Sequence, residues 1–146
     1  MENTVNTLLK RVRQANNLKK FEAKFLIQKD RKPDISEISE FLNYEKNEIN
    51  QIAQKGETAF QQLIDIYSNK FRKKFYDPPL FREIYAYKID NLIDLTEIEK
   101  LWECFFISSI VHFNPFENLG KFENFAEIWI TLGFEAFLTP KIRKLY

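Results

Sequence analysis

The chain has 146 residues, of which 45% are hydrophobic and 16% aromatic, so it can bury a core and is not disordered by composition. Only 3 glycines stand against 15 phenylalanines, which disfavours a turn-rich β-sandwich and favours helices packed through large aromatic side chains. A single cysteine, Cys104, excludes an intramolecular disulfide framework, and the net charge of +1 is unevenly spread.

The charge alternates along the chain in four blocks. Residues 1–32 carry +6, residues 33–69 carry −5, residues 70–88 carry +4 and residues 89–146 carry −4. Such alternation suits a partner that recognises charged surfaces, and it is also common on helical proteins whose surface charge has no binding role.

The first predicted helix runs from residue 3 or 4 to about residue 29. Its apolar residues recur at spacings of three and four, which places them on one face: Val5, Leu8, Leu9, Val12, Leu18, Phe21 and Phe25. A second face carries what we call the basic stripe, formed by Lys10, Arg13, Lys20 and Lys24 with Asn17 among them. The stripe can follow an acidic backbone, or it can simply face water.

Residues 31–54 contain the pattern of a helix-turn-helix. Pro33 ends the first helix, and Asp34 or Ser36 can cap a short second helix that continues to Leu42. Asn43 stands where this motif needs a residue in the left-handed conformation, for which asparagine is the best substitute for glycine.

The residues around this turn have the sizes that a helix-turn-helix needs. Ser39 is small where the two helices come closest, and Tyr44 fills the corner between them. Ile49 and Ile52 anchor the next helix against the previous one.

The helix after the turn is expected over residues 45–55, with Gly56 ending or kinking it. Its exposed amides and lysine can bond to base edges and phosphates, and the candidate nucleic-acid contacts are Lys46, Asn47, Asn50 and Gln51. The basic stripe (Lys10, Arg13, Lys20 and Lys24) would contact phosphates. The charge of −5 on residues 33–69 opposes DNA binding, so the same segment could instead dock onto protein.

Two consecutive prolines, Pro78 and Pro79, cannot lie inside a helix and indicate a boundary. We therefore predict a helix-turn-helix lobe at residues 1–70, a basic and proline-containing linker at residues 71–79, and a C-terminal helical lobe at residues 80–146. Helices are expected over residues 57–70 and 80–92.

The C-terminal lobe is rich in aromatic residues. We expect a buried central helix there, from Asp94 or Thr96 to residue 113, and another at residues 122–132. A break at Gly133 and a last short helix before Pro140 complete it. The fold class predicted for the chain is all-α, a helical bundle of these two lobes.

No catalytic or metal-binding pattern is visible in the sequence. Cys104 and His112 are about two helical turns apart, too far for a nucleophile and base or a shared metal, and Ser108 and Ser109 have no second histidine nearby. The glycines are too scattered for a phosphate-binding loop. We expect no enzyme, no cofactor and no metal.

The chain is expected to be cytoplasmic and to have no membrane partner. Its first residues lead into a charged helix rather than a basic stub and an apolar run. Its most apolar stretch, residues 101–113, is much shorter than the roughly 20 residues of a membrane span.

The helix-turn-helix segment resembles region 3 of the main bacterial sigma-factor family. The residues that carry the resemblance are Arg31, Pro33, Glu37, Ile38, Leu42, Asn43, Ile49 and Ile52. A weaker similarity to the DNA-melting part of sigma region 2 lies, in reversed order relative to the family, at Phe113, Pro115, Gly120, Phe122, Phe125, Ala126, Trp129 and Ile130.

The resemblance implies a transcription-related protein that binds DNA, RNA polymerase or both. The alternative is a helical protein-interaction adaptor that binds other proteins through its acidic and basic faces and does not bind nucleic acid.

Overall fold

The computed structural model describes residues 2–76, 95–117 and 120–143. These residues form five helices and no strand: α1 (Glu2–Lys29), α2 (Ile35–Leu42), α3 (Ile49–Tyr76), α4 (Leu95–His112) and α5 (Phe122–Arg143). The predicted all-α fold is confirmed.

Helix α1 has the predicted bounds and buries the predicted apolar face. Its buried side chains are Val5, Leu8, Leu9, Val12, Ala15 and Leu18, whereas Phe21 and Phe25 near its end are half-buried. The helix ends at Asp30, whose φ of 56° is left-handed and whose amide donates to the carbonyl oxygen of Leu26 at 2.9 Å.

Helix α2 begins with a complete capping box. The Asp34 carboxylate accepts from the Glu37 amide at 2.8 Å, and the Asp34 amide donates to the Glu37 carboxylate at 3.1 Å. Arg31 donates to both oxygens of Glu37, at 2.8 and 3.0 Å, and its guanidinium lies 4.8 Å from the ring centre of Phe25. Of the two predicted caps, Asp34 is therefore the one used, and Arg31 links the start of α2 to the end of α1.

Helix α3 continues through Gly56, so the predicted end or kink there is wrong. A helical glycine is about 1 kcal/mol less favourable than alanine, but packing requires it at this position. A Cβ on Gly56 would collide with the Cβ of Ala15 and lie 3.1 Å from the carbonyl oxygen of Arg11. Gly56 thus lets α1 and α3 approach closely, and the separate helices expected over residues 45–55 and 57–70 are one.

The chain divides into two compact units. Unit 1 comprises residues 1–63 and 114–117, and unit 2 comprises residues 64–113 and 118–146. Residues 71–76 of the predicted linker belong to α3. Pro78, Pro79 and the helix expected over residues 80–92 lie outside the described residues, so the predicted domain bounds stay a prediction.

Unit 2 has an aromatic core. Four rings form its centre: Tyr67 and Phe71 on α3, Phe106 on α4 and Phe122 on α5. The rings of Tyr67 and Phe106 each lie within 5.3–6.3 Å, centre to centre, of the other three. Phe71 and Phe106 are completely buried. The expected aromatic C-terminal core is therefore present. Helix α4 buries one side, with Trp102, Phe106, Ser109 and Ile110, and exposes Glu103, Cys104 and His112, so it is less buried than expected.

The predicted break at Gly133 is wrong, since α5 runs without interruption through Gly133 and Pro140 to Arg143. A Cβ on Gly133 would lie 2.7 Å from ring carbons of Phe105 on α4. Here too the glycine permits close packing and does not end the helix.

The link between Arg31 and Glu37 makes a testable prediction about pH. The hydrogen bonds from the Arg31 side chain and from the Asp34 amide lower the pKa of Glu37 to about 2 from an ordinary 4.5. A lowered carboxylate pKa contributes stability that is complete above the unfolded-state value and is lost as the pH falls through the folded-state value.

We expect Glu37→Gln to be slightly less stable than the wild type above about pH 4.5, with the difference shrinking as the pH falls and disappearing only below about pH 2. The difference is small because Arg31 is exposed to solvent. Urea unfolding followed by circular dichroism at several pH values measures it, with Glu40→Gln on the same helix as the control. A difference independent of pH would contradict the assignment.

Candidate interaction surfaces

One buried cluster joins the three helices of unit 1. It consists of Ala15 and Leu18 from α1, Ile38 from α2, and Ile49 and Ile52 from α3. Phe21, Leu42 and Tyr44 pack against it. The predicted anchoring of the third helix by Ile49 and Ile52 is confirmed.

The chain reverses at Asn43, as predicted. Asn43 has φ 60° and ψ 35°, which is the left-handed conformation. The Ser39 hydroxyl donates to the carbonyl oxygen of Tyr44 at 2.7 Å, so Ser39 supplies a hydrogen bond as well as small size.

Tyr44 is half-buried in the corner between the helices. Its hydroxyl donates to the carbonyl oxygen of Gln14 at 3.2 Å. Burial raises the pKa of Tyr44 above its ordinary value, which keeps the phenol protonated and able to donate. The predicted place of Tyr44 is confirmed.

The four candidate nucleic-acid contacts on this side do not share one helix. Helix α3 begins at Ile49. Before the helix, the amide of Glu48 donates to the carbonyl oxygen of Glu45 at 3.0 Å and closes a turn. Lys46 and Asn47 therefore lie in the turn, and the expectation that the helix starts at residue 45 is wrong. Asn50 and Gln51 lie in the first turn of α3, and all four side chains are exposed.

The basic stripe lies on a different side of unit 1. Helix α1 meets α3 where Ala15 and the Arg11 carbonyl face Gly56. At about 100° per residue, the stripe is on roughly the opposite side of α1 from Ala15. Its members are Lys10, Arg13, Lys20 and Lys24, of which Arg13 is half-buried and the others are exposed.

The structure therefore does not bring the eight predicted contact residues together on one face. The outward side of α3, with Asn50 and Gln51, points away from α1, whereas the stripe points away from α3. Exposed carboxylates of Glu40, Glu45 and Glu48 also lie on α2 and its turn, and they would repel phosphate. The nucleic-acid-binding role of the eight residues stays a prediction.

The second half of α1 and helix α2 enclose a groove of about 630 Å³, which we call the α1–α2 groove. Its lining includes two lysines and four large apolar residues: Lys20, Lys24, Phe21, Ile27, Phe41 and Leu42. The rings of Phe41 and Phe21 stack with their centres 4.6 Å apart. Phe41 is nevertheless 72% exposed and Ile27 84% exposed, so the groove presents a connected apolar surface to solvent.

The sequence analysis did not single out this surface, because periodicity alone does not show which of the apolar residues of α2 (Ile35, Ile38, Phe41 and Leu42) a neighbouring helix covers. Only Ile38 is fully buried, and Leu42 is half-buried. The available signal was the width of the apolar arc, since four apolar residues in eight positions are more than one neighbouring helix can cover.

The aromatic cluster around His112 in unit 2 is packed and hydrogen-bonded. The His112 ring stacks on Trp129 with centres 4.7 Å apart, and its Nδ1 lies 2.8 Å from the carbonyl oxygen of Ser108. The Trp129 indole donates to the Ser108 hydroxyl at 3.1 Å. Cys104 is exposed, and no group of His, Cys, Asp and Glu that could hold a metal ion occurs among the described residues.

No protein-family model, no curated protein and no solved structure matches this chain. The resemblance to sigma-factor regions stays a prediction, as does the absence of catalysis. None of the described helices is long and apolar enough to cross a bilayer.

The left-handed turn can be tested by substitution. We expect Asn43→Ala to lower the free energy of unfolding by about 1 kcal/mol, because a Cβ without a local polar partner disfavours this conformation, and Asn43→Gly to change it little. Urea denaturation measures both. Asn47→Ala, in the same loop without a positive φ, is the control. Equal stability of the Ala and Gly variants would refute the turn geometry.

Proposed function

We propose that the chain is a protein-interaction adaptor that holds a segment of a partner protein in the α1–α2 groove. The observation that carries this proposal is the exposure of Phe41, 72%, on a helix whose other side is packed against α1. Phe41 and Ile27, 84% exposed, line the same groove, and neighbouring exposed apolar side chains of this kind mark binding sites, whereas isolated ones do not.

The free energy gained by burying the Phe41 ring is large enough to hold a protein partner. A phenylalanine side chain has roughly 200 Å² of surface, and burial is worth about 25 cal/mol per Å². Covering the exposed 72% of Phe41 would thus contribute roughly 3.5 kcal/mol. A single aromatic residue of this kind is typical of a binding hot spot.

Phe41 is also held in a defined position. It stacks on Phe21, which itself packs against the buried cluster of unit 1. The capping box and Arg31 fix the start of α2, and Asn43 fixes its end. Little conformational entropy would therefore be lost when a partner covers this ring.

Direct binding to duplex DNA is the second candidate, favoured by the observed turn at Asn43 and by the exposed Asn50 and Gln51 on α3. The proposal of an adaptor is compatible with the expected association with RNA polymerase, because the polymerase would then be the protein partner. In the adaptor proposal, the polymerase would bind to α1 and α2 and not to α3.

The proposal predicts that Phe41→Ser weakens partner binding at least tenfold, as expected when an anchor of a few kcal/mol is lost. Partners captured from a nuclease-treated cell extract are identified and quantified by mass spectrometry. Ile128→Ser is the matched control, since Ile128 is 62% exposed but lies on α5. Circular dichroism should show both variants folded at the temperature of the capture, although Phe41→Ser loses its stacking on Phe21.

Two results would count against the adaptor. One is a set of captured partners that Phe41→Ser leaves unchanged. The other is binding that disappears with nuclease and depends on Asn50 and Gln51, which would favour the DNA-binding candidate.

A further inference from the structure

The edge of the α1–α2 groove is positively charged. Lys20 and Lys24 line it one helical turn apart, and both are exposed. Neither forms an ion pair with another described residue. No carboxylate lines the groove within the part of the chain that the structure describes.

Arg31, just beyond the end of α1, is already neutralised. Arg31 holds both oxygens of Glu37 and covers the ring of Phe25. Lys20 and Lys24 are the positively charged residues that line the groove itself, beside Phe41.

The dimensions of the groove suit a helix. Its wall along α1 extends from residue 17 to residue 28, which is roughly 17 Å at about 1.5 Å per residue. A partner helix of about three turns has this length. The lysines lie about 6 Å apart along α1, which matches carboxylates spaced three or four residues apart on such a helix.

The lining favours aliphatic and aromatic side chains over nucleobases. Ala23 and Ile27 have no π-face on which a base could stack. Of the three lining phenylalanines, Phe21 and Phe41 stack on each other and Arg31 covers Phe25. An amphipathic helix offers bulky apolar residues to this surface and carboxylates to its edge.

We infer that the occupant of the α1–α2 groove is an acidic amphipathic helix of a partner protein, which places apolar side chains against Phe41 and Ile27 and carboxylates beside Lys20 and Lys24. This inference rests on the proposed function, because it names the chemistry of the partner at the same site.

A display library tests the inference. Three-turn helical peptides, randomised on one face, are selected for binding to the full-length chain. The enriched peptides should be net acidic, with large apolar residues at i and i+3 or i+4. Their affinity should fall at least tenfold in Lys20→Glu/Lys24→Glu and should decrease with added salt.

The matched control is Lys19→Glu/Lys29→Glu, which makes the same change of charge on exposed α1 residues that do not line the groove. It should affect affinity much less. Enriched peptides that are neutral or basic, or equal losses in the two double variants, would overturn the inference.

The outcomes separate the inference from the proposed function. Peptides that need Phe41 but not the lysines would leave the adaptor standing and remove the acidic partner. Peptides that bind Phe41→Ser as tightly as the wild type would contradict both the adaptor and the acidic partner helix. Two further results would also overturn the acidic partner helix. One is an oligonucleotide that binds as tightly as the best peptide and loses affinity in the same lysine variant. The other is self-association of the chain, measured by sedimentation, that Lys20→Glu/Lys24→Glu abolishes.

Discussion

The structure of unit 1 depends on one constraint, which is that α1 must serve as packing partner to two helices at once. Ala15 faces Gly56 of α3, and Leu18, Ile38, Ile49 and Ile52 complete the buried cluster that includes α2. Truncating such a buried leucine or isoleucine to alanine typically costs about 2–5 kcal/mol, so the cluster fixes the positions of all three helices. The left-handed Asn43 is what allows α2 to end and α3 to return against α1.

The same constraint decides which surfaces are left for function. Helix α2 packs against Leu18 through Ile38, and its apolar arc is wider than α1 covers, so Phe41 is left outside. The apolar groove beside Phe41 lies on the part of α1 that carries Lys20 and Lys24, whereas the amides Asn50 and Gln51 at the start of α3 follow a turn with the exposed carboxylates Glu45 and Glu48. Apolar surface with a basic edge suits an acidic protein segment better than a duplex, which offers charge without a matching apolar face.

Local sequence signals predicted most of this architecture. The three–four spacing of apolar residues predicted the length of α1, and Pro33 and Asp34 predicted the start of α2. Asn43 predicted the turn between α2 and α3. Each of these signals acts within a few residues of the chain. Gly56 and Gly133 were misinterpreted as helix ends, since their role depends on Ala15 and Phe105, which are distant in sequence. Phe41 was missed for the same reason, as its exposure depends on how much of α2 its neighbour covers. Periodicity grouped the basic stripe correctly, but only the packing of α1 on α3 showed that the stripe and Asn50 face different sides.

Amide hydrogen exchange of the full chain, alone and with its bound protein partner, tests most directly whether the groove is the functional surface. Slower exchange is expected in residues 20–28 of α1 and in residues 35–42, with residues 46–51 unchanged, because a partner seated in the groove covers the first two segments and leaves the start of α3 exposed. Protection confined to residues 46–51, with the groove segments unaffected, would contradict the account.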